Sequence, residues 1–457
     1  MTIDRLPYVA LLKIFAFYVD EFREPVTVRD YHWHILVQVC RNWRNVVFGS
    51  PRYLNLRLLC THRTPVRETI DAWPPLPILV AGFDNEEWGV DNIVAALEHN
   101  DRIRELDFYS SSSSSSSDVE KVLAAMHRPF PALTNLRLSF RVETVPVDSS
   151  SFLGGSAPPQ LQQLHLSSIP FPGVPKLLLS ATHLVKLELQ SIPHSGYISP
   201  EAMVTGLAAL TSLERFNISF KSPRSRPDRK SRRPPPPTRT LLPALNRLWF
   251  YGVSEYLDDL VARIDAPLLN KLDIFFLHQL IFDSPQLIQF ISRIPRSKSK
   301  ADDGMLLQFI SSGVQVEPRN WEFTLRILCR PSDWQLSSLA QVLNSGLFPA
   351  VKRLAIQEYR WSAPSWQDDI EISQWLEVLH PLTAVKDLFI SQGLTPHIAP
   401  TLQELVGGRV TEVLPALQAL HLEETLSSGP VQESIGKWVA ARQLAGCPVA
   451  VSHGNHH

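Results

Sequence analysis

The sequence predicts an α/β repeat array with a parallel sheet on its concave face, preceded by a short helical module. Three observations carry that expectation. The first is a hexapeptide, apolar-x-x-apolar-x-apolar, found ten times: IRELDF from Ile103, LTNLRL from Leu133, LQQLHL from Leu161, LVKLEL from Leu184, LERFNI from Leu213, LNRLWF from Leu245, LNKLDI from Leu269, VKRLAI from Val351, VKDLFI from Val385 and LQALHL from Leu417. Successive starts lie 23 to 34 residues apart except for an interval of 82 between Leu269 and Val351, and a sustained period of this size marks stacked supersecondary units. The second is a proline two residues ahead of six copies, at Pro131, Pro159, Pro243, Pro267, Pro349 and Pro415. Proline is tolerated at the first residue of a strand and stops a preceding helix. The third is a set of helix starts between copies, Ser199-Pro200-Glu201, Ser254 and Ser284-Pro285, in which Ser serves as N-cap and Pro opens the helix. Each period therefore reads strand, turn, helix. A single unit of this size cannot bury its apolar face, whereas stacked units bury one continuous core at roughly 1.5–3 kcal/mol per sequestered Leu or Ile.

Ahead of the array, residues 1–50 follow a different pattern. LPYVALLKIFAFYV sets Leu6, Leu11, Leu12, Ile14, Phe15 and Phe17 on a short helix begun near Pro7, and DYHWHILVQVCRNWRNVVF sets Ile35, Leu36, Val39, Cys40, Trp43 and Val47 at helical spacing on a second. Residues 51–90 read as a linker and N-terminal cap, and 91–457 as the array, with loops at 110–117, 221–239 and 296–304. The first of these is an unbroken serine run and the third is polar without an apolar period. The second, KSPRSRPDRKSRRPPPPTR, holds eight Lys/Arg, one acidic residue and six Pro, too charged to bury. It reads as a solvated loop, with a nuclear-import signal or a phosphate-binding patch as the sharper alternatives.

Composition narrows the function classes. The 44 Lys plus Arg and 45 Asp plus Glu give a formal net charge of −1, so no global field draws the chain to nucleic acid or anionic membranes. The 19 Gly in 457 residues are about 4%, below the usual ~7%, which makes phosphate-cradling loops scarce. Four cysteines, Cys40, Cys60, Cys329 and Cys447, form no C-x-x-C pair, so neither a zinc knuckle nor a disulfide framework is legible and a reducing compartment is expected. No run approaches about 18 uncharged apolar residues and the start lacks a basic n-region. Neither a transmembrane helix nor a signal peptide is expected, and the location expected is cytoplasmic or nuclear.

The hexapeptide resembles the L-x-x-L-x-L strand of leucine-rich repeats over about residues 90 to 445. Where that family usually places Asn or Cys, three residues after the last apolar one, this chain has Ser111, Arg141 and Ile169 in its first three units, so an irregular solenoid is implied. The N-terminal segment resembles an F-box on Leu6-Pro7, Leu11, Leu12, Ile14 and Phe15 followed by Val39-Cys40-Arg41-x-Trp43-Arg44. It departs from that family at Val9, where Glu is common, and in the extra stretch Asp20 to Asp30. The pairing of the two modules resembles the large F-box families of mushroom-forming fungi. The resemblance implies that Leu6, Pro7, Leu11, Leu12, Ile14, Phe15, Val39, Cys40, Trp43 and Arg44 bind a Skp-type adaptor, and through it a cullin-RING ligase. It implies a substrate-recognition subunit of an SCF-type ubiquitin ligase, the repeats holding a protein substrate. The alternative is a non-catalytic repeat scaffold or sensor whose N-terminal helices only cap the array.

No enzyme is expected, since G-x-G-x-x-G, G-x-x-x-x-G-K-[ST], H-E-x-x-H and G-x-S-x-G are all absent from the sequence. No cofactor and no metal are expected either. His32-x-His34 lies on two helix faces, His453, His456 and His457 sit in what reads as a frayed end, and Asp368, Asp369 and Glu371 suit the acidic first turn of a helix. Because strand side chains alternate, the fifth hexapeptide residue and the one after the sixth face the open side of the sheet. Among these, Trp249, Tyr251, Phe275 and Phe389 are the expected substrate-binding residues, since exposed aromatics anchor partners.

Overall fold

Apolar side chains at hexapeptide positions one, four and six are sequestered only if consecutive strands pair in register, and in the structure, a computed structural model, they do. It describes residues 6–21, 36, 38–49, 56–83, 89–110, 115–140, 151–225, 238–277, 282–294, 303–319, 322–328, 332–348, 351–359, 372–423 and 429–454. The chain forms two compact units, one of residues 1–198 with 205–213, the other of 199–204 with 214–457.

In the first unit, β1 (Leu56–Leu59), β2 (Ile78–Phe83), β3 (Ile103–Ser110), β4 (Asn135–Phe140), β5 (Gln163–Ser167) and β6 (Lys186–Ile192) lie in sequence order and pair in parallel. Helices Val66–Ala72, Val90–Leu97, Ser116–Ala125 and Val174–Leu178 run between them. The array thus begins at Leu56, and residues 51–90 are more than a linker: β1, β2 and their helices are strand-helix units written without the hexapeptide. In the second unit, β7 (Arg215–Phe220), β9 (Arg247–Gly252), β11 (Lys271–Leu277), β15 (Arg353–Glu358), β16 (Asp387–Ile390), β17 (Ala419–Leu422) and β18 (Ala450–His453) continue the pattern. The short β8 (Thr240–Leu241) and β10 (Ile264–Asp265) pair separately.

In nine of the ten units all three apolar hexapeptide residues are buried, and only Val351 is half-exposed. The second hexapeptide carbonyl stitches neighbours together: Thr134 O accepts from the N–H groups of Gln162 and Gln163 at 2.8 and 3.1 Å, and Asn246 O from those of Asn270 and Lys271 at 2.9 and 3.0 Å. The prolines act differently from the expectation. Pro131, Pro159, Pro243, Pro267 and Pro415 do not open strands; each is second in a β-turn whose closing bond runs from the first hexapeptide N–H, as in Leu133 N–H to Phe130 O at 3.1 Å. That position suits the fixed φ of proline and needs no N–H from it. Pro349 lies outside the described residues.

The long interval without a hexapeptide holds β12 (Gly304–Ile310), β13 (Gly313–Pro318) and β14 (Glu322–Leu328). β14 pairs parallel to β11, β13 antiparallel to both β14 and β12, and β12 parallel to β15. Among the described strands of this sheet only β13 runs backwards. Gly313 admits no side chain, since a Cβ there would collide with Ile327 O.

Several local expectations change. Ser110 ends β3 buried, and Ser115 caps the helix Ser116–Ala125 by accepting from Asp118 N–H, so the serine run is not a loop throughout. Gly304 opens a strand, Ser452 and His453 end β18 rather than fraying, and Ser254 is the first helical residue after the cap Val253. Ser199 does cap, accepting from Ala202 N–H at 3.2 Å. Ser284 occupies the N-cap of Pro285–Arg293 without a side-chain cap bond; Asp258, from the neighbouring helix Ser254–Val261, accepts from Gln286 and Leu287 N–H at 2.9 and 3.0 Å instead. Residues 226–237 of the basic segment, His32, His34, Asp368, Asp369, Glu371, His456 and His457 lie outside the described residues.

Candidate functional site

Two regions carry the expected site residues. In the N-terminal module, helices Tyr8–Glu21 and Arg41–Phe48 pack through Leu11, Leu12, Phe15, Trp43, Val46 and Val47, all buried. The Phe15 and Trp43 rings meet at 4.8 Å. The second helix is not continuous as expected. Leu36, Gln38 and Val39 are helical, but Cys40 is extended, and its Sγ caps the next helix by accepting from Trp43 N–H at 3.4 Å. The ten expected adaptor residues therefore divide. Leu11, Leu12, Phe15 and Trp43 form the interior of the module, Leu6 and Cys40 are half-buried, and Pro7, Ile14, Val39 and Arg44 face outward.

On the open face of the second unit, Trp249, Tyr251 and Phe275 come together. The Trp249 and Tyr251 rings lie nearly parallel at 6.2 Å, and Phe275 stands 5.4 Å from Trp249 and 6.4 Å from Tyr251. Burial raises the pKa of the Tyr251 hydroxyl. Phe389 belongs elsewhere, stacked at 4.2 Å on His421 of the next strand. The expectation missed Arg326, whose guanidinium lies 5.2 Å over the Phe275 ring, because EFTLRIL of β14 lacks the hexapeptide. Its strict alternation, with Phe323, Leu325 and Ile327 buried, is the signal that identifies Arg326 as outward-facing.

The first unit's open face is charged instead. Register aligns Asp107, Arg137, His165 and Glu188 across β3 to β6 beside a depression of about 180 Å³ also lined by Glu105 and Lys186. Glu188 accepts from His165 Nδ1 at 2.6 Å and Lys186 Nζ at 3.0 Å. Burial pushes the Glu188 carboxyl up, but these two donors more than offset it and hold it at about 2. Burial raises Asp107, partly opposed by Arg137, Arg57 and His165. A carboxylate whose folded pKa is depressed contributes stability above its unfolded pKa that is lost as pH falls through the folded one. Glu188→Gln should therefore destabilise the protein at pH 6, the gap narrowing as pH falls below the ordinary value of 4.5 and mostly closed by about pH 2. Paired urea titrations at pH 6, 4 and 2.5 check this, and a gap that stays constant would contradict it.

Among the described residues no group of three or more His, Cys, Asp or Glu is placed to hold a metal, and no helix is long and apolar enough to cross a membrane. Cys40, Cys60 and Cys447 are in no disulfide, and burial pushes the Cys60 thiol up to about 12.

No known family and no curated protein matches the chain. Among solved structures, it is similar to the leucine-rich repeat-containing protein LegL7 from Legionella pneumophila at 12% identity, covering 86% of this chain and 98% of that one, with a TM-score of 0.27. The repeat architecture itself stands on the strand registers described above.

Proposed function

We propose that the chain is a non-catalytic receptor that holds a protein partner on its open sheet face and joins a Skp-type adaptor, and so a cullin-RING ubiquitin ligase, through residues 6–48. The first helix carries this reading. It has two apolar faces, and the packing against Trp43 uses only one. Ile14 and Phe17, three residues apart and hence on a shared face, are 46% and 70% exposed, and Val39 beside the second helix is 53% exposed. A small helical pair that leaves such a surface uncovered has the form of a docking module. Transfer chemistry would reside on other subunits, the receptor contributing proximity.

The test is recovery of a Skp-type adaptor co-expressed with the full chain. Ile14→Asp combined with Phe17→Asp should cut recovery at least tenfold while leaving the unfolding curve in place, since interface anchors contribute about 2 kcal/mol or more each. Leu11→Ala combined with Trp43→Ala should lose adaptor and module stability together. Undiminished recovery by the Ile14/Phe17 variant overturns the reading and leaves the repeat scaffold.

A further inference from the structure

Strand register on the second unit's open face sets Tyr251 of β9, Phe275 of β11, Arg326 of β14 and Gln315 of β13 side by side. Arg326 is held in one pose. Its guanidinium lies over Phe275 at 5.2 Å, and its Nε donates to Gln315 Oε1 at 2.7 Å, with Nη2 donating to the same oxygen. These bonds use one edge of the guanidinium and leave the Nη1 hydrogens and one on Nη2. Among the described residues no carboxylate hydrogen-bonds to it: Glu317 acts on it as a nearby charge, while its Oε1 accepts from Gln315 Nε2 at 2.5 Å and Thr324 Oγ1 at 3.2 Å. Arg326 is therefore a fixed, half-buried cation with an open fork beside a three-ring apolar slab. A guanidinium fork matches a carboxylate bidentately, and a pre-set pose spares the ordering entropy that weakens flexible pairs.

We propose that this face recognises a polypeptide segment in which an Asp or Glu carboxylate lies one or two residues from an aromatic side chain, the carboxylate meeting Arg326 and the ring meeting Trp249, Tyr251 and Phe275. The proposal rests on the reading that this face holds the protein partner. Neighbouring strands lie about 4.8 Å apart, so the slab extends about 5–10 Å from the guanidinium, the span of one or two extended residues at about 3.3 Å each. Aromatic rings beside an arginine would also suit single-stranded nucleic acid. Here Asp273, in register between Trp249 and Thr324, and Glu317 flank the patch, which opposes a polyphosphate and favours a peptide with one anionic group.

The experiment selects random dodecapeptides displayed on phage against the full chain, then measures an enriched peptide by fluorescence anisotropy. Enriched sequences should carry Asp or Glu within two residues of Phe, Tyr or Trp. Arg326→Gln, and Glu→Gln in the peptide, should each weaken binding about tenfold, the two together little more than either, because both remove the same pair. Arg326→Lys, which keeps the charge but not the fork, should fall between. If Arg326→Gln lowers the melting temperature, the peptide substitution alone decides. No enrichment, enriched peptides without an acid, binding indifferent to Arg326 and to the peptide acid, or tighter binding of a mixed-sequence 12-nucleotide RNA would each overturn the proposal. Loss with Trp249→Ser but not with Arg326→Gln would overturn it while keeping the face as the partner surface, and indifference to both would remove the face as well.

Discussion

Replacing Arg442 by Ala is expected to cost about 4 kcal/mol of stability, because five backbone carbonyls each lose a guanidinium donor at once. The guanidinium of Arg442 is fully buried in the helix Pro430–Leu444. Its five N–H groups meet five carbonyls: Nε that of Cys447 at 3.2 Å, Nη1 those of Val410 and Leu414 at 3.4 and 3.2 Å, and Nη2 those of Pro415 and Leu417 at 3.3 and 3.2 Å. Four of these carbonyls lie in residues 406–417, which turn without regular structure and so offer no ladder; Leu414 O accepts besides from Leu417 N–H at 3.1 Å, and buried carbonyls must be satisfied. The guanidinium also lies 5.4 Å from the ring of buried Trp438. Arg442→Lys keeps the charge with three donors in place of five and should lose about half as much. Denaturant unfolding of the full chain, with amide exchange read at 410–417, measures both. A loss below about 1 kcal/mol for the Ala variant would mean that water replaces the guanidinium there.

Asp258→Ala should cost about 3 kcal/mol, a cap lost and two N–H groups left without an acceptor in a buried setting. Asp258 is 2% exposed and holds the start of the helix Pro285–Arg293 from the helix before it. Asp258→Asn, which keeps one side-chain oxygen at that place, should cost about 1 kcal/mol. Thermal unfolding followed by circular dichroism distinguishes the two, and equal melting temperatures for Asp258→Ala and the unchanged protein would contradict the capping role.

Asp258 also shows why some of the structure was legible in the sequence and some was not. The interior could be read because hexapeptide spacing is a local code: Leu106, Leu136 and Leu164 are buried by the same alternation that identifies them. The helix starts after Ser199 and Ser284 could both be read, but the capping side chain only where it is the preceding residue, as with Ser199, and not where it comes from another helix, as Asp258 does for Pro285–Arg293. The prolines were visible, but their role as turn residues depends on a bond from Leu133 to Phe130 that a strand-first reading overlooks. In the N-terminal module, Leu11 and Ile14 look alike in sequence. Only the approach of Trp43 decides that one is interior and the other exposed. The aromatic patch was legible for Trp249, Tyr251 and Phe275, whose strands share the hexapeptide, whereas Phe389 lies on a more distant strand and Arg326 on one that the repeat does not mark.

The reversed strand β13 has a consequence for how the second unit assembles. A repeat array grows rung by rung, each new strand adding to the one just made. From β11 that cannot happen, because its neighbour is β14, made only after β12 and β13. β12, β13 and β14 can instead form a meander by local hairpins, and β15 can add to β12. Two assembly fronts then meet along β11 and β14, and non-local joins of this kind form late because loop closure precedes their reward. Phe275 and Arg326 stand on opposite sides of that seam, so a partner seated across both would brace a join that no local hairpin supports.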